Sequence, residues 1–254
     1  MRISICCPSY KRPKVETLEH YPHTRVYVSE SEKAEYMAAN HEGADIVAVP
    51  DAVQGNVARI RNYILEREFE GGADCVVIID DDLQGIFRWN ARGDFGYETK
   101  KLTEPELFEL CRVGSHMCEE WGYRLWGLNC GKNDKKAFKQ CTPFNTLGFI
   151  GGPFSAHLRN PIRYDERLPL KEDYDLTLQH LNKYRGALRF NMYFYMCRQS
   201  ENTGGCAQMR NIARERQQFE ALQAKWGENI VRSDNTSKKQ FDYNPIIKVP
   251  IAGV

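Results

Sequence analysis

No stretch of the 254-residue chain comes near the ~20 consecutive apolar residues that a membrane-spanning helix needs. The opening MRISICCPSY is cut at Pro8 and has neither the apolar segment nor the small-residue cleavage site of a secretory leader. An excess of one charge is missing too. Lys and Arg number 35 against 34 Asp and Glu, so there is no general attraction for polyanions, and contact with a nucleic acid has to come from local patches. The nine cysteines include no CxxC pair, which excludes zinc-ribbon and zinc-finger spacings. Reduced, mostly buried thiols in a cytoplasmic protein are the simplest account. Internal repeats and low-complexity tracts are absent, and no histidine follows His180.

What is present is an ordinary globular composition, 42% apolar and 27% charged, at a length that suits one large domain with a core of its own. Short apolar runs at 2–7, 25–29 and 45–49 read as strands. Gln54-Gly55-Asn56 opens a helix over about 57–70, with Val57, Ile60, Ile64 and Leu65 at helical spacing and Arg59 and Arg61 off that stripe. The run DCVVII at 74–79 is continuous and β-branched, as expected of a central strand covered on both faces. Further helices are expected near 31–41 and over 102–122, 171–185 and 207–226, further strands after GFIGGP (148–153) and at 187–197, and an irregular tail over the last 20 residues. Strands alternating with helices predict a parallel α/β sheet.

Four groups of residues carry chemistry. Asp80, Asp81 and Asp82 directly follow the central strand, at the edge where open α/β sheets bind ligands. Adjacent carboxylates repel, and a divalent cation relieves that repulsion. Mg²⁺ or Mn²⁺ suits carboxylate oxygens together with substrate phosphates. An acidic turn capping a following helix is the alternative. Glu172-Asp173, with Asp175, opens a helix, either as a general base or as acids favoured by the helix dipole. Gln54-Gly55-Asn56 with Arg59, Arg61 and Asn62 is a candidate phosphate site. Asn202-Thr203-Gly204-Gly205 with Arg210 is either a mobile lid over phosphates or a surface turn.

Taken in order, PSYKRP, Ser29-Glu30, GNVARIRN, VVIIDDDL, GGPFSAHL and KEDYDLTLQHL resemble a GT-A glycosyltransferase over roughly residues 2–200. Here DDD resembles the DxD motif and ED the catalytic xED motif. More narrowly, ERLPLKEDYDLTLQHL, ALRFNMY and the NTGGC…R loop resemble the TET-associated glycosyltransferases of phages. That resemblance implies an α/β, Rossmann-like and mostly parallel central sheet flanked by helices, with a smaller C-terminal acceptor-side region. It implies a single domain over 1–254, in which 1–100 bind the nucleotide sugar, 101–200 form the acceptor and catalytic half, and 201–254 supply a lid and tail. Mn²⁺ or Mg²⁺ is the implied cofactor, a UDP-sugar the donor, and DNA containing a hydroxymethylated pyrimidine the partner.

By the same resemblance, Pro8, Ser9, Tyr10 and Arg12 line the base pocket and Glu30 contacts base or ribose. Arg59 faces the diphosphate, and Asp80 lies near ribose and metal with Asp81 beside it. Asp82 is the main metal ligand, and Gly151 and Gly152 lie by the donor sugar. Asp173 takes the acceptor proton in an inverting attack, Glu172 orients the site, and Gly204, Gly205 and Arg210 close over the phosphates. The sequence departs from the family at the C-terminal histidine that completes the metal site in many members, since none exists here. His157 is a substitute in principle, but a histidine in such a strand is more often structural.

A DNA acceptor calls for basic clusters near the site. Those available are Lys132, Lys135, Lys136 and Lys139; Arg159 and Arg163; Arg210, Arg214 and Arg216; and Lys238 and Lys239. Trp89, Phe138 and Phe144 are the aromatics able to stack on an extruded base. The residues alone leave open a carbohydrate or protein acceptor, a nucleotidyltransferase, and a binding module with a degenerate site.

Overall fold

The computed structural model describes residues 1–91, 97–130, 142–197, 211–234 and 243–249. Its first half is built by repetition. Strand β1 (Ile3–Pro8), β2 (Arg25–Ser29) and helix α1 (Lys33–Ala39) are followed by β3 (Ile46–Val49), α2 (Val57–Glu70) and β4 (Cys75–Ile79). A hairpin, β5 (Leu83–Ala91) and β6 (Tyr97–Lys101), leads to α3 (Glu104–Glu120) and β7 (Leu125–Asn129). Then come β8 (Phe144–Asn145), β9 (Phe154–Leu158), α4 (Glu172–Tyr184), β10 (Leu188–Cys197) and α5 (Ile212–Trp226). A small antiparallel pair, β11 (Val231–Ser233) with β12 (Pro245–Ile247), ends the described chain, where an irregular tail was expected.

Ten strands form one sheet in the order β3-β2-β1-β4-β9-β7-β10-β5-β6, with β8 also on β10. Only β5, β8 and β9 run against the common direction. The mostly parallel sheet is therefore as expected, with one qualification: β9 enters antiparallel between β4 and β7. Strand β4 is covered on both faces. Cys75, Val77 and Ile79 join the apolar layer that includes α3, while Val76 and Ile78 join the layer that includes α2 and α4. The seven described cysteines are free, five of them buried; Cys141 and Cys206 lie outside the described residues.

This topology puts the ends of β1, β2, β3 and β4 on one edge. Because β9 is antiparallel, its start lies on that same edge and its end on the opposite one. Ile79 pairs with Phe154 and Cys75 with Leu158. Gly151 and Gly152 are thereby brought beside Asp80, whose amide donates to Pro153 O at 3.3 Å.

Candidate active site

The three consecutive aspartates do not face one way. Beyond β4 the chain turns, and Thr17 holds the turn: its hydroxyl donates to Asp80 O at 2.6 Å and accepts from Leu83 N at 3.0 Å. A strand, not a helix, follows, so the carboxylates do not cap a helix. Asp81 is buried and accepts from Ser9 Oγ at 2.5 Å and Arg12 Nη1 at 2.5 Å. Burial pushes its carboxyl up to about 6, against the opposing pull of Arg12. The same guanidinium reaches Asp82 at 3.2 Å. The Pro8–Arg12 loop is fixed from behind. Ser9 N donates to Tyr27 O at 3.0 Å, Arg12 N to Tyr36 Oη at 3.0 Å, and Gln54 Nε2 to Ser9 O at 3.3 Å. Glu30, exposed, begins a short turn after β2, and Tyr10 lies under the Lys11 ammonium. Pro8, Ser9, Tyr10, Arg12 and Glu30 thus lie at the β1 and β2 ends of the edge that carries the aspartates.

Asp80 belongs to a second cluster. Arg61, with a side chain only 3% exposed, donates through Nη2 to Asp80 at 2.8 Å and through Nη1 to Glu172 at 2.9 Å. Next along α4, Asp173 accepts from Gly152 N at 3.1 Å and Tyr174 N at 2.8 Å. Burial and the neighbouring Asp173 charge push Glu172 up to about 8. Burial also raises Asp173, while Arg61 pulls it the other way. A carboxylate with a raised pKa, held by two backbone amides at a helix start on the ligand edge, is equipped to accept a proton. Gly151 has room for nothing larger, because a Cβ there would lie 2.2 Å from Tyr195 Oη.

Arg59 does not join either cluster. It is exposed, pairs with Glu166 at 3.0 Å and donates to Ala52 O at 2.8 Å. The first amides of α2 are also taken, since Asn56 Oδ1 accepts from Ala58 N and Arg59 N. The arginine that reaches the site is Arg61, and it is on the buried face of α2 with Ile64, Leu65 and Glu68, not off it. Its 3.6-residue spacing from those neighbours was the available signal. His157 is structural: its Nε2 lies 3.0 Å from Ser155 Oγ and 3.1 Å from Tyr164 Oη, and burial pushes its pKa well down. Gly204, Gly205 and Arg210 lie outside the described residues.

Two expectations for a polynucleotide surface change. Trp89 is 5% exposed and packs against Phe194, so it is not available to stack on a base. Arg159 sits at the far end of β9, on the edge opposite the aspartates, where it donates to Phe69 O and Ala73 O. Phe144 packs edge-on against Trp121 and Phe190. The lysines of 132–139, with Phe138, and Lys238 and Lys239 lie outside the described residues.

No protein-family model and no curated protein sequence matches the chain. Solved structures do. The complex of glucosyl-3-phosphoglycerate synthase from Mycobacterium tuberculosis with Mn²⁺, uridine diphosphate and glucosyl-3-phosphoglycerate aligns at a TM-score of 0.51 and 15% identity, over 88% of this chain and 79% of that one. TarS 1–349 of S. aureus in complex with UDP-GlcNAc aligns at 0.52 and 11% identity, over 89% of this chain and 66% of that one. The chain has the GT-A fold. The aspartate turn and the α4 start meet at one end of this sheet, joined through Arg61. Among the described residues, no three His, Cys, Asp or Glu side chains converge as a metal-binding group. Asp80 and Asp82 still fit Mg²⁺ or Mn²⁺ by donor chemistry, since such ions are held by one or two carboxylates plus water and substrate phosphate. Asp81 is the buried one of the three and is bonded to Ser9 and Arg12, while Asp80 and Asp82 each share their carboxylate with an arginine, Arg61 and Arg12.

Proposed function

We propose that the chain is a metal-dependent, inverting glycosyltransferase that moves a sugar from a UDP-sugar to the hydroxymethyl group of 5-hydroxymethylcytosine in DNA. One observation carries the transferase reading: Asp80 and the Glu172-Asp173 pair, far apart in sequence, meet on one sheet edge through Arg61. Pro8, Ser9, Tyr10, Arg12 and Glu30 hold the nucleotide. Asp80 and Asp82 hold Mn²⁺ or Mg²⁺, which when bound offsets charge on the leaving diphosphate. Gly151 and Gly152, kept small by Tyr195 and Arg61, lie by the donor sugar. Asp173 takes the proton of the acceptor hydroxyl as its oxygen attacks the anomeric carbon, from the face opposite the diphosphate. Glu172 orients the site from the start of α4.

The acceptor rests on the resemblance to the TET-associated enzymes. A second reading, the same transfer to a carbohydrate or protein hydroxyl, is favoured by the burial of Trp89 and by Arg159 lying on the opposite edge. The deciding experiment is mass spectrometry of nucleosides from 5-hydroxymethylcytosine DNA incubated with the protein, Mn²⁺ and a panel of nucleotide sugars. A glycosyl mass on the modified nucleoside is expected. Hydrolysis of the nucleotide sugar with no such mass removes the DNA acceptor and keeps the transferase. Release of pyrophosphate in place of a nucleoside diphosphate makes the chain a nucleotidyltransferase.

A further inference from the structure

A buried guanidinium is costly unless it is paired; in Arg61 the Nε is buried without a partner among the described residues, and the two Nη atoms carry the pairing. Arg61 is paired on three segments at once: Asp80, 19 residues away; Gly152 O at 3.2 Å, 91 away; and Glu172, 111 away. The Tyr164 ring lies under its Cζ at 5.7 Å. Position 152 accommodates the fork because it has no side chain; a Cβ there would lie 2.9 Å from Nη1. Burial pulls its pKa down, but the acids facing it, Asp80, Glu172 and Asp173, outweigh that and raise it overall, so it remains a cation throughout the working range.

We propose that Arg61 is the positioning residue of this site: a rigid strut that sets the separation between Asp80 and the Glu172-Asp173 pair. Resting on the transferase reading above, this makes Arg61 the element that spaces the donor from the base. Both of its Nη atoms are taken by protein oxygens, of Asp80, Gly152 and Glu172. A planar fork with two nitrogens spans two carboxylates, whereas a lysine is a point charge able to hold one. Without the strut, the acids of Asp80, Glu172 and Asp173 lose their shared buried cation and face one another.

The test compares Arg61→Lys, Arg61→Met and Gly152→Ala in donor turnover and in thermal unfolding. A misplacement of about 1 Å is worth about 100-fold in rate. The strut therefore predicts that kcat falls about 100-fold in Arg61→Lys while the donor KM stays within about threefold, with Arg61→Met lower still. Gly152→Ala keeps the charge but displaces the fork, and shows the same kcat-selective loss. Near-normal kcat in Arg61→Lys, or a rise in KM that accounts for the whole loss, overturns the proposal. Unfolding reads the strut without turnover. Arg61→Met lowers the melting temperature, and adding Glu172→Gln and Asp80→Asn restores most of it, because the unpaired charges are gone. Simple additivity of the three changes overturns the proposal. A wild type that turns over no nucleotide sugar defeats the transferase reading, while the unfolding series still decides the strut.

Discussion

At the scale of the residue, the account turns on protons. Asp173→Asn keeps the shape but loses the base and, with a single acceptor oxygen, one of the two hydrogen bonds from Gly152 and Tyr174. Turnover is expected to drop about 10²–10⁴-fold with donor affinity retained, checked by transfer kinetics beside calorimetry. Near-normal turnover removes Asp173 from the role. The pH dependence has a definite sign. Glu172 is pushed up to about 8 and Asp81 to about 6, chiefly by burial. A carboxyl whose folded pKa exceeds its unfolded value of about 4 contributes stability that is complete below that value and is lost as pH climbs through the folded one. The melting temperature of the metal-free, donor-free protein should fall from about pH 5 to about pH 8, and Glu172→Gln should flatten the upper part of that fall. A melting temperature that rises across this window contradicts the assignment. Arg61 shows what residue type alone misses. Arg59 and Arg61 are two positions apart, yet a 100° helical step per residue sends one to solvent at Glu166 and the other into the core.

At the scale of the element, α4 is clamped to α5 by buried charges beside the site. Lys171, 1% exposed, pairs with Glu215 at 2.5 Å. One turn on, Asp175 accepts from Lys225 at 2.7 Å and Trp226 Nε1 at 2.8 Å. Removing Asp175 takes the acceptor from Trp226 Nε1, while Lys225 keeps Asp165 at 2.9 Å. Asp175→Ala is expected to cost about 2 kcal/mol in urea unfolding, and a loss under about 0.5 kcal/mol would mean that α5 packs without the clamp. The elements that sequence made legible are those with strong local periodicity. The β-branched β4 and the apolar stripes of α2 and α4 came with their flanking acids in place, so the Asp80–Asp82 turn and the Glu172 helix start were readable. Strand direction was not, because a five-residue run such as FSAHL has the same pattern in either sense, and the pairing that makes β9 antiparallel is made with β4 and β7. The β5–β6 hairpin was missed for a related reason. Its residues include Arg88, Asn90, Lys100 and Lys101, and its stability comes from cross-strand pairs and from β10.

At the scale of the whole molecule, the sheet puts two carboxylate sets on one edge, and the near-neutral net charge leaves recognition to that edge. If DNA is bound, the attraction comes from a few local cations, so affinity measured by gel shift should fall steeply between about 50 and 200 mM salt. Salt-independent binding would point to an acceptor without phosphates. The claim on which the rest depends is that the edge holds a nucleotide through a cation on Asp80 and Asp82. The most direct measurement is a calorimetric titration of UDP into the protein with Mn²⁺ and again with EDTA, on wild type, Asp82→Ala and Asp173→Asn. The account predicts binding with Mn²⁺ that weakens at least about tenfold both in EDTA and in Asp82→Ala, and stays unchanged in Asp173→Asn. UDP affinity that is the same with and without metal would contradict it.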